Sequence, residues 1–220
     1  MSDITLEARA DNKVTSPSPI EQWMPREASP LAHVEFITPD QLYQETSVDI
    51  REIKGLTHLI LRGKTENPAF TSGVEKALGV ALPIAPRTSV QTDSLRVFWQ
   101  SPDEWLIIGE PNSAAAIELA LHQHLEGHYA VTEVSSGQTL LKLSGANAEN
   151  VIKKSTLYDA HIRQFPIGHV AGTTFAKSQI QIRRIGEQSF ELVVRRSFAD
   201  YLWMWLMDAG REYGVVFHKD

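Results

Sequence analysis

The chain is expected to fold as an α+β protein, two similar βαββαβ halves packed into one domain. Three observations predict this. Strand-like and helix-like patterns follow the same order twice, the two passes align at a shift of 82 to 85 residues, and turn residues stand at the junctions of both. In that alignment Leu59 to Gly63 (LILRG) matches Leu141 to Gly145 (LKLSG), Trp105 falls on Phe190, and Ser113 falls within one position of Ser197. A unit of this order is ferredoxin-like, with two helices on one face of an antiparallel sheet and so an apolar side to bury. Its duplication says more about architecture than any single element.

The first half spans about residues 56–135. Leu56 to Arg62 is a short apolar run suited to a buried strand. Asn67-Pro68 supplies an N-cap and a proline at the first helical position. Phe70, Val74, Ala77 and Leu78 recur at helical spacing until Gly79 ends the helix. Strands are expected over 94–100 and 104–109, joined by a turn at Ser101-Pro102-Asp103. Ser113 opens a second helix with Ala114, Ile117, Leu121 and Leu125 on one face, closed by Gly127, and residues 129–134 form the last strand.

The second half spans about residues 137–217. A strand over 139–143 ends at Ser144-Gly145, and Ala148, Val151 and Ile152 mark a short helix whose last turn carries Lys153 and Lys154, as the helix dipole favours. A connection runs from Ser155 to Thr173. Ala176, Ile180 and Ile182 alternate, Gly186-Glu187 turns the chain, and Phe190, Leu192 and Val194 alternate again. Ser197 is expected to cap the final helix with Asp200 as its capping-box partner, and residues 215–217 to add a last strand. Residues 1–30 hold four of the 11 prolines and little periodicity, which predicts an extended or disordered arm before a domain over 31–220.

Composition narrows the function. With 42% hydrophobic and 22% charged residues the chain has the make-up of a globular protein. It has no cysteine, which excludes thiolate metal sites, cysteine nucleophiles and disulfides. Its net charge of −6 carries no footprint for nucleic acid, no run approaches a membrane span, and the N-terminus has no apolar signal core, so a cytoplasmic protein is expected. No glycine-rich dinucleotide or phosphate cradle and no G-x-S-x-G follows a strand. His124 and His128 have the i, i+4 spacing of a metal pair, but Gly127 interrupts the helix, so His122, His124 and His128 read as polar residues at a helix end. Asp103-Glu104 sits in a tight turn, where neighbours face opposite ways, and reads as structural. Arg183-Arg184 and Arg195-Arg196 suit cross-strand ion pairs better than an anion site, since no glycine cradle accompanies them. No catalytic, cofactor-binding or metal residue is therefore assigned.

The last helix is the richest segment. At 100° per residue Phe198, Tyr201, Leu202, Trp205, Leu206 and Ala209 form a core face. Trp203, Met204 and Met207 fall outside it, near Arg211, and large apolar groups with arginine are typical of a protein interface. A partner surface of Trp203, Met204, Met207 and Arg211, with Trp23 of the arm, is expected; packing against the other half is the alternative.

Four stretches together resemble the gamma subunit family of heterotetrameric sarcosine oxidase. They are Ala28 to His33 (ASPLAH), Ser101 to Gly109 (SPDEWLIIG), Leu140 to Ala148 (LLKLSGANA) with Val151, Ile152 and Lys153, and Arg196 to Trp203 (RSFADYLW). The resemblance covers about residues 28–214 and departs from the family at Lys154-Ser155, where Gly-Cys is common. It implies a fold similar to the tetrahydrofolate-binding domain of glycine-cleavage aminomethyltransferase. It also implies assembly with alpha, beta and delta subunits into an oxidase that converts sarcosine to glycine, hydrogen peroxide and 5,10-methylenetetrahydrofolate. By the same resemblance FAD, FMN, NAD, zinc and the main tetrahydrofolate site belong to the other subunits, and this chain is accessory and structural. The alternatives are a free-standing aminomethyltransferase-like folate protein, or the equivalent subunit of another N-methylamino-acid oxidase or dehydrogenase. The folate-dependent protein of iron–sulfur cluster assembly fits less well, because its signature holds a cysteine.

Overall fold

The structure, a computed structural model, describes residues 28–34 and 45–219. After a first strand β1 (Val48–Ile53), one half runs β2 (Thr57–Arg62), α1 (Pro68–Leu78), β3 (Ser89–Gln91), β4 (Leu95–Ser101), β5 (Glu104–Gly109), α2 (Ala114–His124) and β6 (Ala130–Glu133). The other runs β7 (Gln138–Ser144), α3 (Ala148–Ser155), β8 (Val170–Phe175), β9 (Ser178–Gly186), β10 (Ser189–Arg195), α4 (Ala199–Ala209) and β11 (Val215–Lys219).

The five-stranded sheet has the order β3-β4-β5-β2-β6, and the six-stranded sheet β11-β1-β7-β10-β9-β8. Apart from one insertion the orders are the same when halves are superposed in sequence. That insertion is β1, which stands between β7 and β11: antiparallel to the first, with Ile50 opposite Leu143, and parallel to the second, with Ile50 opposite Phe217. In the first half β6 pairs directly with β2. The sequence reading, starting from Leu56, lacked β1, β3 and β8. In β1 the alternation Val48, Ile50 continues inward to Glu52, a buried carboxylate, so the apolar pattern ends after two residues.

Alternating residues of each sheet supply two cores. On β5, Trp105 and Ile107 face α1 and α2 with Leu59, Leu61, Phe70 and Val74, while Leu106 and Ile108 face the other sheet, meeting Leu140, Val170 and Val193. The outer face of the six-stranded sheet packs α3 and α4 through Leu141, Leu143, Phe190, Leu202 and Leu206. The result is helices, sheet, sheet, helices. Trp105 and Phe190, matched by the repeat, occupy the same place in β5 and β10, and both are fully buried.

The helix starts test the capping expectations. Asn67 Oδ1 accepts from Ala69 N at 3.1 Å, and Gly79 closes α1 at φ +68. Ser197 does not cap α4. It lies inside a 3-10 turn over Arg196–Phe198 with no side-chain capping bond, and Asp200 instead pairs with His33 Nε2 at 2.8 Å. The matched glycines Gly63 and Gly145 both permit close approach: a Cβ on Gly63 would strike the Phe70 ring, and one on Gly145, at φ +114, would lie 2.3 Å from Ser47 O.

Residues 28–30, assigned to the arm, are held against the second half. Arg196 Nη2 donates to Ala28 O at 2.7 Å, and Ser29 Oγ donates to Glu52. The rest of the arm, Trp23 included, lies outside the described residues.

Candidate functional site

A cleft of about 1260 Å³ opens where the two halves join. Its walls are the β1–β2 turn, the start of α2 at Asn112, the turn after β6 at Ser135 and Ser136, and Ser29, Pro30 and Arg196. Glu52 is nearly inaccessible at its edge, accepting from Thr139 Oγ1 at 2.8 Å and from Ser29 Oγ. Ser135 Oγ fixes the turn after β6 within the first half, accepting from His58 N at 3.0 Å and donating to Glu133 Oε1 at 2.8 Å. The cleft is thus a polar seam lined by both halves, His58, Asn112 and Ser135 from the first and Gln138, Thr139 and Arg196 from the second.

His58 stands behind that seam, on the inter-sheet face of β2. It is 1% exposed, and neither ring nitrogen has a protein hydrogen-bond partner. Burial, and secondarily the Arg96 charge, push its pKa down to about 4, so the ring is neutral at pH 7. Further into the same layer Glu191 is gripped between sheets. Arg183 Nη1 donates to its Oε2 at 3.0 Å, and Arg96 Nε lies 3.0 Å from its Oε1. Arg183 also reaches Ser89 Oγ and Gln91 Oε1, each at 2.8 Å, on β3.

The other candidate groups have ion-pair or hydrogen-bond partners within the chain. Arg184 is fully buried, pairs with Glu149 Oε2 at 2.7 Å, donates to Ala160 O, and stacks 4.5 Å from the Phe190 ring centre. Ion pairing, expected for Arg183 and Arg184, is what they do. Asp103 accepts from Ser101 Oγ at 2.7 Å, and that bond holds its carboxyl below the usual range, while Glu104 pairs with Arg62 at 3.0 Å. His122 Nδ1 lies 2.7 Å from Tyr129 Oη. Among the described residues no group of three His, Cys, Asp or Glu could hold a metal ion.

The expected partner surface on α4 is only partly a surface. Trp203 is half-buried, meeting Phe217 edge to face at 6.1 Å between ring centres, and Met207 packs on the same core. Met204 is half exposed, and Arg211 lies in the exposed turn after α4. On the opposite side, Trp205 Nε1 donates to Ser155 Oγ at 3.0 Å, and Ser155 Oγ donates to Val151 O at 2.6 Å. The Ser155 hydroxyl is therefore an internal hydrogen-bonding group. Sequence reasoning missed Glu52 and His58. Their signal was present in a buried-strand pattern interrupted by one ionisable residue.

These arrangements describe a duplicated scaffold with a polar cleft where its two halves meet. The chain matches the sarcosine oxidase gamma subunit family over residues 62–212. It is 32% identical over 195 residues to the sarcosine oxidase subunit gamma of Corynebacterium sp. (strain U-96), covering 86% of this chain and 92% of that protein. Among solved structures it is similar to a chain of the heterotetrameric sarcosine oxidase from Corynebacterium sp. U-96 in complex with pyrrole 2-carboxylate, with 29% identity and a TM-score of 0.74 over 84% of this chain and 95% of that one. The fold alone is shared with the glycine cleavage system aminomethyltransferase T from Bartonella henselae, at 16% identity and a TM-score of 0.60 over 78% of this chain and 48% of that one. The chain belongs to the sarcosine oxidase gamma subunit family.

No helix among the described residues is long and apolar enough to cross a membrane.

Proposed function

We propose that this chain is the accessory, structural subunit of a heterotetrameric sarcosine oxidase, joined to alpha, beta and delta subunits in the cytoplasm, and that it carries no catalytic residue. The observation behind this reading is the likeness to a chain of the heterotetrameric oxidase, which extends over 95% of that chain. In this proposal the complex oxidises sarcosine to glycine, and FAD, FMN, NAD, zinc and tetrahydrofolate are held by the partner subunits. The inventory of the chain supports that division. Of its buried ionisable residues, Glu191, Arg183 and Arg184 are engaged in internal ion pairs and Glu52 accepts from Ser29 and Thr139, and the sequence has no cysteine.

The test is affinity purification of the tagged chain from its native cells, with mass spectrometry and a visible spectrum of the eluate. Three co-purifying subunits, flavin absorption near ~450 nm and sarcosine-dependent peroxide release are expected. A colourless, solitary protein would overturn the proposal.

A further inference from the structure

We infer that the paired loops 83–88 and 156–169 form a docking surface for another subunit of the oxidase, one presenting an apolar face rimmed by carboxylates. The inference rests on the subunit function proposed above. Four of the seven exposed large apolar side chains among the described residues lie on these two loops: Leu157, which is fully exposed, Ile84 and Ile167, more than half exposed, and Ile162. The other three, Leu119, Phe198 and Met204, are on different elements. Single exposed aliphatics are ordinary, whereas a cluster marks an interaction site.

The loops are built to present these side chains. Val170 N donates to Arg87 O at 2.9 Å, Ser89 N donates to Gly168 O at 3.0 Å, and Arg87 Nη1 donates to Tyr158 Oη at 3.4 Å, which ties one loop to the other. The longer loop is anchored from below. Ala160 and Phe165 are fully buried, Tyr158 packs edge-on against Phe165 at 5.2 Å, and Arg184 donates to Ala160 O. Its inward positions are thus already filled, and Leu157, Ile162 and Ile167 are surplus to the core. Arg87 adopts φ +63, a conformation that costs energy for a residue with a Cβ and recurs at functional surfaces.

The charge around the patch states the partner's chemistry. Arg87 and Arg163 are exposed beside it, on a chain of net charge −6, while Asp159 Oδ1 accepts from its own loop at His161 N, 2.9 Å away. A second copy of so acidic a chain would meet general repulsion, whereas a subunit with an apolar face and acidic rim would satisfy both features. Heterotetrameric assembly, named for the similar solved structure, supplies the need for such a face.

The experiment is co-production of the tagged full chain with its native partner subunits, read by native mass spectrometry of the tag eluate. Leu157→Asp with Ile167→Asp should lower the recovered assembly about tenfold or more, while Leu119→Asp on α2 leaves it unchanged. The free double variant should keep a melting temperature within about 2 °C of the parent, since the sites are exposed. Arg163→Glu should weaken assembly at low salt and less at high salt. Full assembly by the double variant, or an Arg163→Glu effect independent of salt, overturns the inference and leaves the proposed function standing. A parent chain that recruits no partner overturns both. A free parent that is dimeric, with a monomeric double variant, also overturns it by assigning the patch to self-association.

Discussion

Replacing His58 by leucine should remove a defined part of the chain's acid sensitivity. The ring is 1% exposed, and its native pKa lies at about 4 against 6.5 for an ordinary histidine. Between those values the unfolded chain holds a proton at this position that the folded chain refuses, because burial and then the neighbouring Arg96 charge disfavour the imidazolium. Stability therefore rises with pH through this window. It falls on acidification from pH 6.5, and the loss levels off near pH 4, where the native state takes up the proton too. A gap of this size at 1.36 kcal/mol per unit amounts to about 3 kcal/mol. Leucine is similar in volume and has no proton to bind. Urea unfolding of parent and His58→Leu chains at pH 7.5 and 4.5 isolates the effect, since the other titrating groups cancel in the difference. The parent should lose about 2 to 3 kcal/mol more than the variant over that range. Parallel pH profiles would refute the reasoning, and a parent that gains on acidification relative to the variant would reverse its sign.

Two further substitutions probe the packing. Glu191→Ala leaves Arg183 and Arg96 without their shared carboxylate between the sheets, and a loss of about 3 to 5 kcal/mol is expected by denaturant unfolding; a loss below about 1 kcal/mol would show that the cluster is solvated. Trp203→Ala removes the edge-to-face contact with Phe217 and should cost about 2 kcal/mol in the free chain, seen as a melting temperature lower by about 4 to 8 °C. An unchanged melting temperature would return Trp203 to the partner surface.

Much of the architecture was legible because it depends on local chemistry. Asn67-Pro68 and Gly79 bracket α1 through their own dihedral preferences and a side-chain acceptor two residues from its donor. The alternation through β5 assigns Trp105 and Ile107 to one side and Leu106 and Ile108 to the other without reference to any partner. The shift between halves carried these assignments to the second unit, down to the matching of Trp105 with Phe190. The Ser197 cap misled because a cap motif is a local offer. Asp200 found His33, a partner 167 residues away, in the folded chain.

What composition, spacing and repeat determined by themselves was a duplicated α+β unit and the absence of cysteine chemistry, while the family resemblance rested on four matched stretches of sequence. Tertiary structure alone decided three things. It placed β1 between β7 and β11, because pairing register is a property of two strands and the short charged run Val48–Ile53 shows its apolar face only when Ile50 stands between Leu143 and Phe217. It buried Glu191 with Arg183 and Arg96, charges that are tolerated only because β4, β9 and β10 bring opposite signs together across the two sheets. Finally, it divided the apolar residues of the connection after α3, turning Phe165 into the core and Leu157 into solvent. No periodicity in an irregular loop distinguishes those two, since each side chain's direction is set by the surface the loop is laid upon.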